Sequence, residues 1–149
     1  MFKNLLIATD GSDLGNKALA AGLELARLSG AGVTIMTASD PVSTVVGAGG
    51  FGTIDAGSII EELEKRYAAE AATLLAAAAA KAQTAGVTAR TLHLPRHRPA
   101  DAIVQLAAEE AFDTIVMGSH GRRGFERLLL GSQAAEVLAH SGLAVLIVK

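Results

Sequence analysis

Short apolar stretches alternate with longer helical ones along the whole of this chain, and that alternation narrows the fold more than any other feature. Lys3 to Thr9 (KNLLIAT) carries its apolar residues consecutively, the pattern of a strand buried on both faces. Val33 to Ala38 (VTIMTA), Val87 to Leu94 (VTARTLHL), Asp113 to Met117 (DTIVM) and Leu143 to Val148 (LAVLIV) read as further strands. The first helix takes Ser12 or Asp13 as its N-cap and runs to about Ser29. Leu19, Leu23 and Ala26 fall on one side of it, and Gly30 ends it. The second, Ile59 to Thr84, is dense in strong helix formers and stops before Gly86. Pro99 opens the third, which carries Ile103, Leu106 and Ala107 on one face. Gln133 to His140 forms the fourth.

Strands alternating with helices imply parallel pairing through right-handed crossovers that cover both faces of a sheet. The expected fold is a doubly wound, five-stranded parallel sheet of Rossmann-like or flavodoxin-like type, with order 3-2-1-4-5. A chain of 149 residues suits one such domain, and no internal repeat or linker divides it. Ligands of these sheets bind beyond the carboxyl ends of the strands, where the strand order reverses. If the first and fourth strands are neighbours, that places Asp10, after the first, and Gly118, after the fourth, at one crevice.

The stretch from Gly118 to Ser132 (GSHGRRGFERLLLGS) carries the chemistry. Gly118 and Gly121 open a turn, and Gly131 and Ser132 lead into the last helix. Glycines let backbone N–H groups approach an anion closely, and a helix N-terminus favours negative charge. Ser132 is placed to cap the helix and to donate its hydroxyl to a phosphate oxygen. Arg122 and Arg123 add positive charge. The bland alternative is that the glycines only turn the chain and that Gly131 and Ser132 only start a helix. Asp10 is open to two roles, accepting hydrogen bonds from a ribose or base, or capping the first helical turn. Met117 either lines a base pocket or belongs to the core. His120 either touches phosphate or faces solvent. Between Val42 and Gly57 the chain reads as a long glycine-rich loop, either a lid over the site or a solvated excursion.

Composition excludes several classes. Net charge is −2 with scattered basic residues, which argues against an electrostatic nucleic-acid binder. Without cysteine there is no disulfide, thiolate chemistry or cysteine zinc site. His93 and His97 straddle a strand end and a proline, so no metal site is expected from them. No apolar run has the length of a membrane helix, and the N-terminus lacks a secretory pattern, so a soluble cytoplasmic protein is expected. Neither GxxxxGK[ST] nor a GxGxxG after the first strand is present. The third strand ends in His93, Leu94 and Pro95, not in the aspartate a phospho-acceptor receiver would carry. Ser132 has no general base beside it in sequence, so no catalytic residue is assigned.

Glycine, two residues, glycine, nine residues, glycine, serine resembles the ATP-binding signature of the universal stress protein family. The start, KNLLIATDGS, and the end, LAVLIVK, are similar to that family too, so the likeness spans the chain. It implies a homodimeric, ATP-binding stress-response protein, with the dimer formed through the last strand, Leu143 to Val148. It implies phosphate contacts at Gly118, Gly121, Arg122, Gly131, Ser132 and Gln133, and base or ribose contacts at Ala8, Thr9, Asp10, Ala38 and Met117. Mg²⁺ or Mn²⁺ would accompany the nucleotide. Binding that sets conformation or partners, slow ATP hydrolysis and nucleotide-free protein interaction are the three functional readings. Gln133 stands where an apolar residue is common, Ala134 lacks a hydroxyl some members carry, and His97 and Arg98 replace a frequent glycine.

Overall fold

The computed structural model describes residues 2–42, 56–121 and 130–149, with the backbone alone at Ala56. Within them the order is β1 (Asn4–Ala8), α1 (Asp13–Ser29), β2 (Gly32–Ser39), α2 (Ala56–Thr84), β3 (Ala89–Pro95), α3 (Pro99–Glu109), β4 (Thr114–Gly118), α4 (Ser132–His140) and β5 (Ala144–Val148). The five strands form one parallel sheet of order β3-β2-β1-β4-β5, the expected order. β1 lies between β2 and β4, with Ile7 opposite Ile35 on one side and Val116 on the other.

The consecutive apolar residues of β1 divide between two cores, because successive side chains of a strand face opposite ways. Leu5 and Ile7 join Val33, Ile35 and Val116 under α1 and α2, against Leu19, Leu23, Leu75, Ala78 and Ala82. Leu6 joins Met36, Ile115 and Met117 under α3 and α4, against Ile103, Leu106, Ala134 and Val137. α1 sits close to the sheet because Gly22 has no side chain: a Cβ there would stand 2.5 Å from Ile7 Cδ1. Gly30 ends α1 in the left-handed region, at φ 69°, and its N–H closes on the Ala26 carbonyl.

Most strand boundaries shift by one residue from expectation, and those of α2, β3 and α4 also differ. α2 begins at Ala56 and not at Ile59, so Ala56 and Gly57 belong to the helix and not to the loop. Val42 is buried, and residues 43–55 of the expected loop lie outside the described residues. β3 begins at Ala89, because the Val87 N–H turns back to the Ala82 carbonyl at 2.9 Å and still closes α2. α4 begins at Ser132 with Gly131 as its N-cap.

At the amino edge of the sheet, Asp113 accepts from the Lys3 N–H at 2.7 Å, the Asn4 N–H at 3.2 Å and the Thr114 hydroxyl at 2.9 Å. Desolvation alone would raise its pKa; these hydrogen bonds overcome it and hold the carboxyl below the usual carboxylate range. β5 is the last strand in the order, so among the described residues one of its edges has no strand beside it.

Candidate functional site

The parallel strands bring the N-termini of α1, α3 and α4 to the carboxyl edge of the sheet. After β1 the chain turns through Gly11, at φ 76°, and Ser12 caps α1 by accepting the Gly15 N–H at 3.1 Å. Asp10 Oδ1 accepts from the Ser12 N–H at 3.0 Å and from its hydroxyl at 2.6 Å. The carboxylate is therefore tied into the first turn of α1, the structural role the sequence left open. Its other oxygen faces the glycine loop: a Cβ on Gly121 would lie 2.9 Å from Oδ2. Gly15 is needed on the opposite side, where a Cβ would lie 2.6 Å from Oδ1.

Ser119 joins the two ends of the glycine loop. Its N–H donates to the Val148 carbonyl at 2.8 Å, and its carbonyl accepts from the Gly131 N–H at 2.7 Å. The second bond brings the start of α4 back against Gly118 to Gly121. Nothing larger than glycine fits at 131, since a Cβ there would stand 2.8 Å from the Ser119 carbonyl oxygen. Gly118 packs on Leu14 in the first turn of α1, with a Cβ position 3.2 Å from Leu14 Cβ.

The roles expected at the start of α4 need one correction. Ser132 does not cap the helix; it is the first helical residue, exposed, and α4 has no side-chain cap. The extended backbone at Gly131, with φ −71° and ψ 157°, takes the cap position because Gly131 must meet Ser119. The side chain of Gln133 is engaged with the neighbouring helix. Its Oε1 accepts the Ala100 N–H at 2.9 Å and so caps α3, whose own cap residue Arg98 supplies no such bond. Arg98 instead grips both carboxylate oxygens of Glu136 at 3.0 Å. The hydrogen bond and charge of Glu136 raise the Arg98 pKa further.

The remaining expected residues fall into two groups. Met117 is buried on the α3/α4 face of the sheet, where Ala8 and Ala38 pack half-buried. Thr9 is buried; its N–H reaches the Met36 carbonyl at 3.0 Å and its hydroxyl accepts the Gly11 N–H at 3.3 Å. Thr9 and Gly11 also line an open groove of about 810 Å³ between α1 and α2, whose lining includes none of Gly118, Gly121 and Gly131. Arg122 and Arg123 lie outside the described residues.

Sequence reasoning missed the buried Ser119 and a pair at the ends of β2 and β3. There Ser39 Oγ lies 2.9 Å from His93 Nε2, and burial lowers the His93 pKa. His97 turns elsewhere, its Nδ1 2.7 Å from the Pro95 carbonyl oxygen. The parallel register, which brings these strand ends together, is invisible in the spacing of single residues.

The model of the universal stress protein family matches residues 1–149. The chain belongs to the universal stress protein family. A universal stress protein from Thermus aquaticus, encoded 3′ of a QAH/OAS sulfhydrylase, is 36% identical over 149 residues and the match covers 100% of both chains. Among solved structures, MJ0577 of Methanocaldococcus jannaschii superposes with a TM-score of 0.85 at 26% identity, covering 100% of this chain and 96% of that one. A universal stress protein in complex with cAMP gives a TM-score of 0.68 at 27% identity, covering 98% and 95%. The Archaeoglobus fulgidus universal stress protein in complex with dAMP gives 0.67 at 26% identity, covering 100% of each chain. Among the described residues no helix of this family member is long and apolar enough to cross a membrane.

Proposed function

We propose that residues 1–149 form a single nucleotide-binding domain, of the ATP-binding kind within the family, that acts as a regulatory module in the stress response. The observation that carries this reading is the Gly131 N–H to Ser119 carbonyl bond of 2.7 Å. It sets the uncapped N-terminus of α4 against the glycine turn, so the free N–H groups of one helix and the turn share one small space. The phosphates of ATP lie there, with Gly118, Gly121, Gly131 and Ser132 around them. Gln133 contributes its backbone N–H, since its side chain is engaged elsewhere. The adenosine extends over the ends of β1 and β2, near Ala8, Thr9, Asp10, Ala38 and Met117. The cAMP and dAMP complexes of two relatives lend support to an adenine nucleotide.

The cradle fits such a group: Gly121 and Gly131 stand where any side chain would meet Asp10 or Ser119. Among the described residues no cluster of three or more His, Asp or Glu side chains is placed to hold a metal alone. Mg²⁺ or Mn²⁺ therefore enters on the phosphate oxygens, which is how Mg²⁺ is commonly bound. The module works in the cytoplasm as a homodimer, with β5 pairing to its copy. Calorimetric titration with ATP tests the site. Gly131→Val, which forces a side chain against Ser119, abolishes binding while circular dichroism stays native. Unchanged affinity in that variant contradicts the placement of the phosphates.

A further inference from the structure

We infer that the groove between α1 and α2 is a second ligand site, which takes a long-chain carboxylate with its tail along α2 and its head group at Lys81; it stands apart from the nucleotide reading above. The two faces of the sheet are covered differently. α3 and α4 pack against each other. α1 lies chiefly over β1 and β4, α2 lies over β2 and β3, and these two helices barely meet. The space left between them is the groove of about 810 Å³. It shares Leu19 and Lys81 with a second cavity of about 360 Å³ that reaches Leu23 and Ala85.

The lining selects the ligand. Leu19 of α1 and Leu74, Ala77 and Ala78 of α2 give the groove apolar walls. The polar groups among them are mostly engaged: Thr73 returns its hydroxyl to the Ala69 carbonyl at 3.1 Å, and Arg66 pairs with Glu70 at 3.3 Å. Lys81 differs. Its ammonium donates to the neutral Asn16 Oδ1 at 2.7 Å, and Asn16 is held in turn by donating from Nδ2 to the Gly11 carbonyl at 3.1 Å. Among the described residues no carboxylate pairs with Lys81, whereas the other basic residues of α2, Lys65 and Arg66, each have one. One uncompensated cation beside an apolar trough complements one anionic group on an apolar body. A polyol would leave most of its hydroxyls unpaired against these walls. Size separates a small molecule from a partner helix. A helix about 10 Å across, laid along the roughly 22 Å from Arg66 to Lys81, would need about twice the volume of the groove. Clefts of about 300–1,000 Å³ are those of small ligands.

The test is calorimetric titration of the full chain with decanoate below its micellar concentration, and with decanol and acetate beside it. The wild type binds decanoate, binds decanol more weakly and ignores acetate. Lys81→Met keeps an apolar stem and removes the cation. It weakens decanoate roughly five- to tenfold and leaves decanol unchanged, and Lys81→Arg restores most of the loss. Ala77→Trp fills the groove from an exposed helical position and abolishes binding of both, with native circular dichroism. Gly131→Val, which acts on the glycine turn, binds decanoate as the wild type does. A wild type that ignores decanoate overturns the inference, as does wild-type affinity in Ala77→Trp. Equal affinity for decanoate in Lys81→Met, or equal losses for decanoate and decanol, overturns the role of the cation. Loss of decanoate in Gly131→Val overturns the placement by putting the amphiphile at the glycine turn. Failure of ATP to bind a chain that takes decanoate overturns the nucleotide reading alone.

Discussion

At position 121 a side chain would meet Asp10, and at position 131 it would meet Ser119. These two glycines hold the turn, the end of β1 and the start of α4 within one small volume. The role of Gln133 follows from the same crowding. Its side chain reaches sideways to α3 and supplies a cap that Arg98 does not. Gln133→Ala leaves the Ala100 N–H unpaired, which costs about 1 kcal/mol. In a domain of this size that lowers Tm by roughly 2–4 °C in thermal unfolding. ATP affinity then changes far less than in Gly131→Val. A large loss of affinity at unchanged Tm would instead place the Gln133 side chain on the phosphates.

α3 and α4 are joined at their amino ends by the Gln133 bond and the Arg98–Glu136 pair. The start of α4 is therefore set partly by a neighbouring helix, which no pattern within residues 131–140 reveals. Boundaries depending on local chemistry were legible: Ser12, one of the two candidates read from the sequence, caps α1, and Gly30 ends it. Boundaries depending on tertiary contact were not, as with Ser132, displaced from the cap by the Gly131–Ser119 bond. β5 completes this scale: among the described residues one of its edges has no strand beside it, and Leu146 is 40% exposed, which is the basis for expecting a second copy there. Sedimentation at micromolar concentration is expected to give a dimer for the wild type and a monomer for Leu146→Arg, with native circular dichroism in both. A monomeric wild type contradicts pairing through β5.

Strand order was legible for the whole molecule because consecutive apolar strands, linked by helices, have few solutions in a parallel sheet. That order brought Asp10 and the glycine turn together, as Gly121 against the Asp10 carboxylate shows. The chemistry inside the site was less legible. Ser119 is defined by backbone partners distant in sequence, Val148 and Gly131, which no local pattern reveals. The two faces of the sheet also differ: the α1/α2 groove shares Thr9 with the expected site, and its lining includes none of Gly118, Gly121 and Gly131. The central claim is that the carboxyl edge binds an adenine nucleotide. The most direct measurement denatures the protein as purified, extracts the small molecules and identifies them by chromatography and mass, with ATP titrated into the emptied protein. ATP or a related nucleotide at near one per chain, or tight uptake of added ATP, is the predicted result. An empty protein that ignores ATP, ADP, AMP and cyclic AMP would contradict the claim and reduce the glycine loop to a turn.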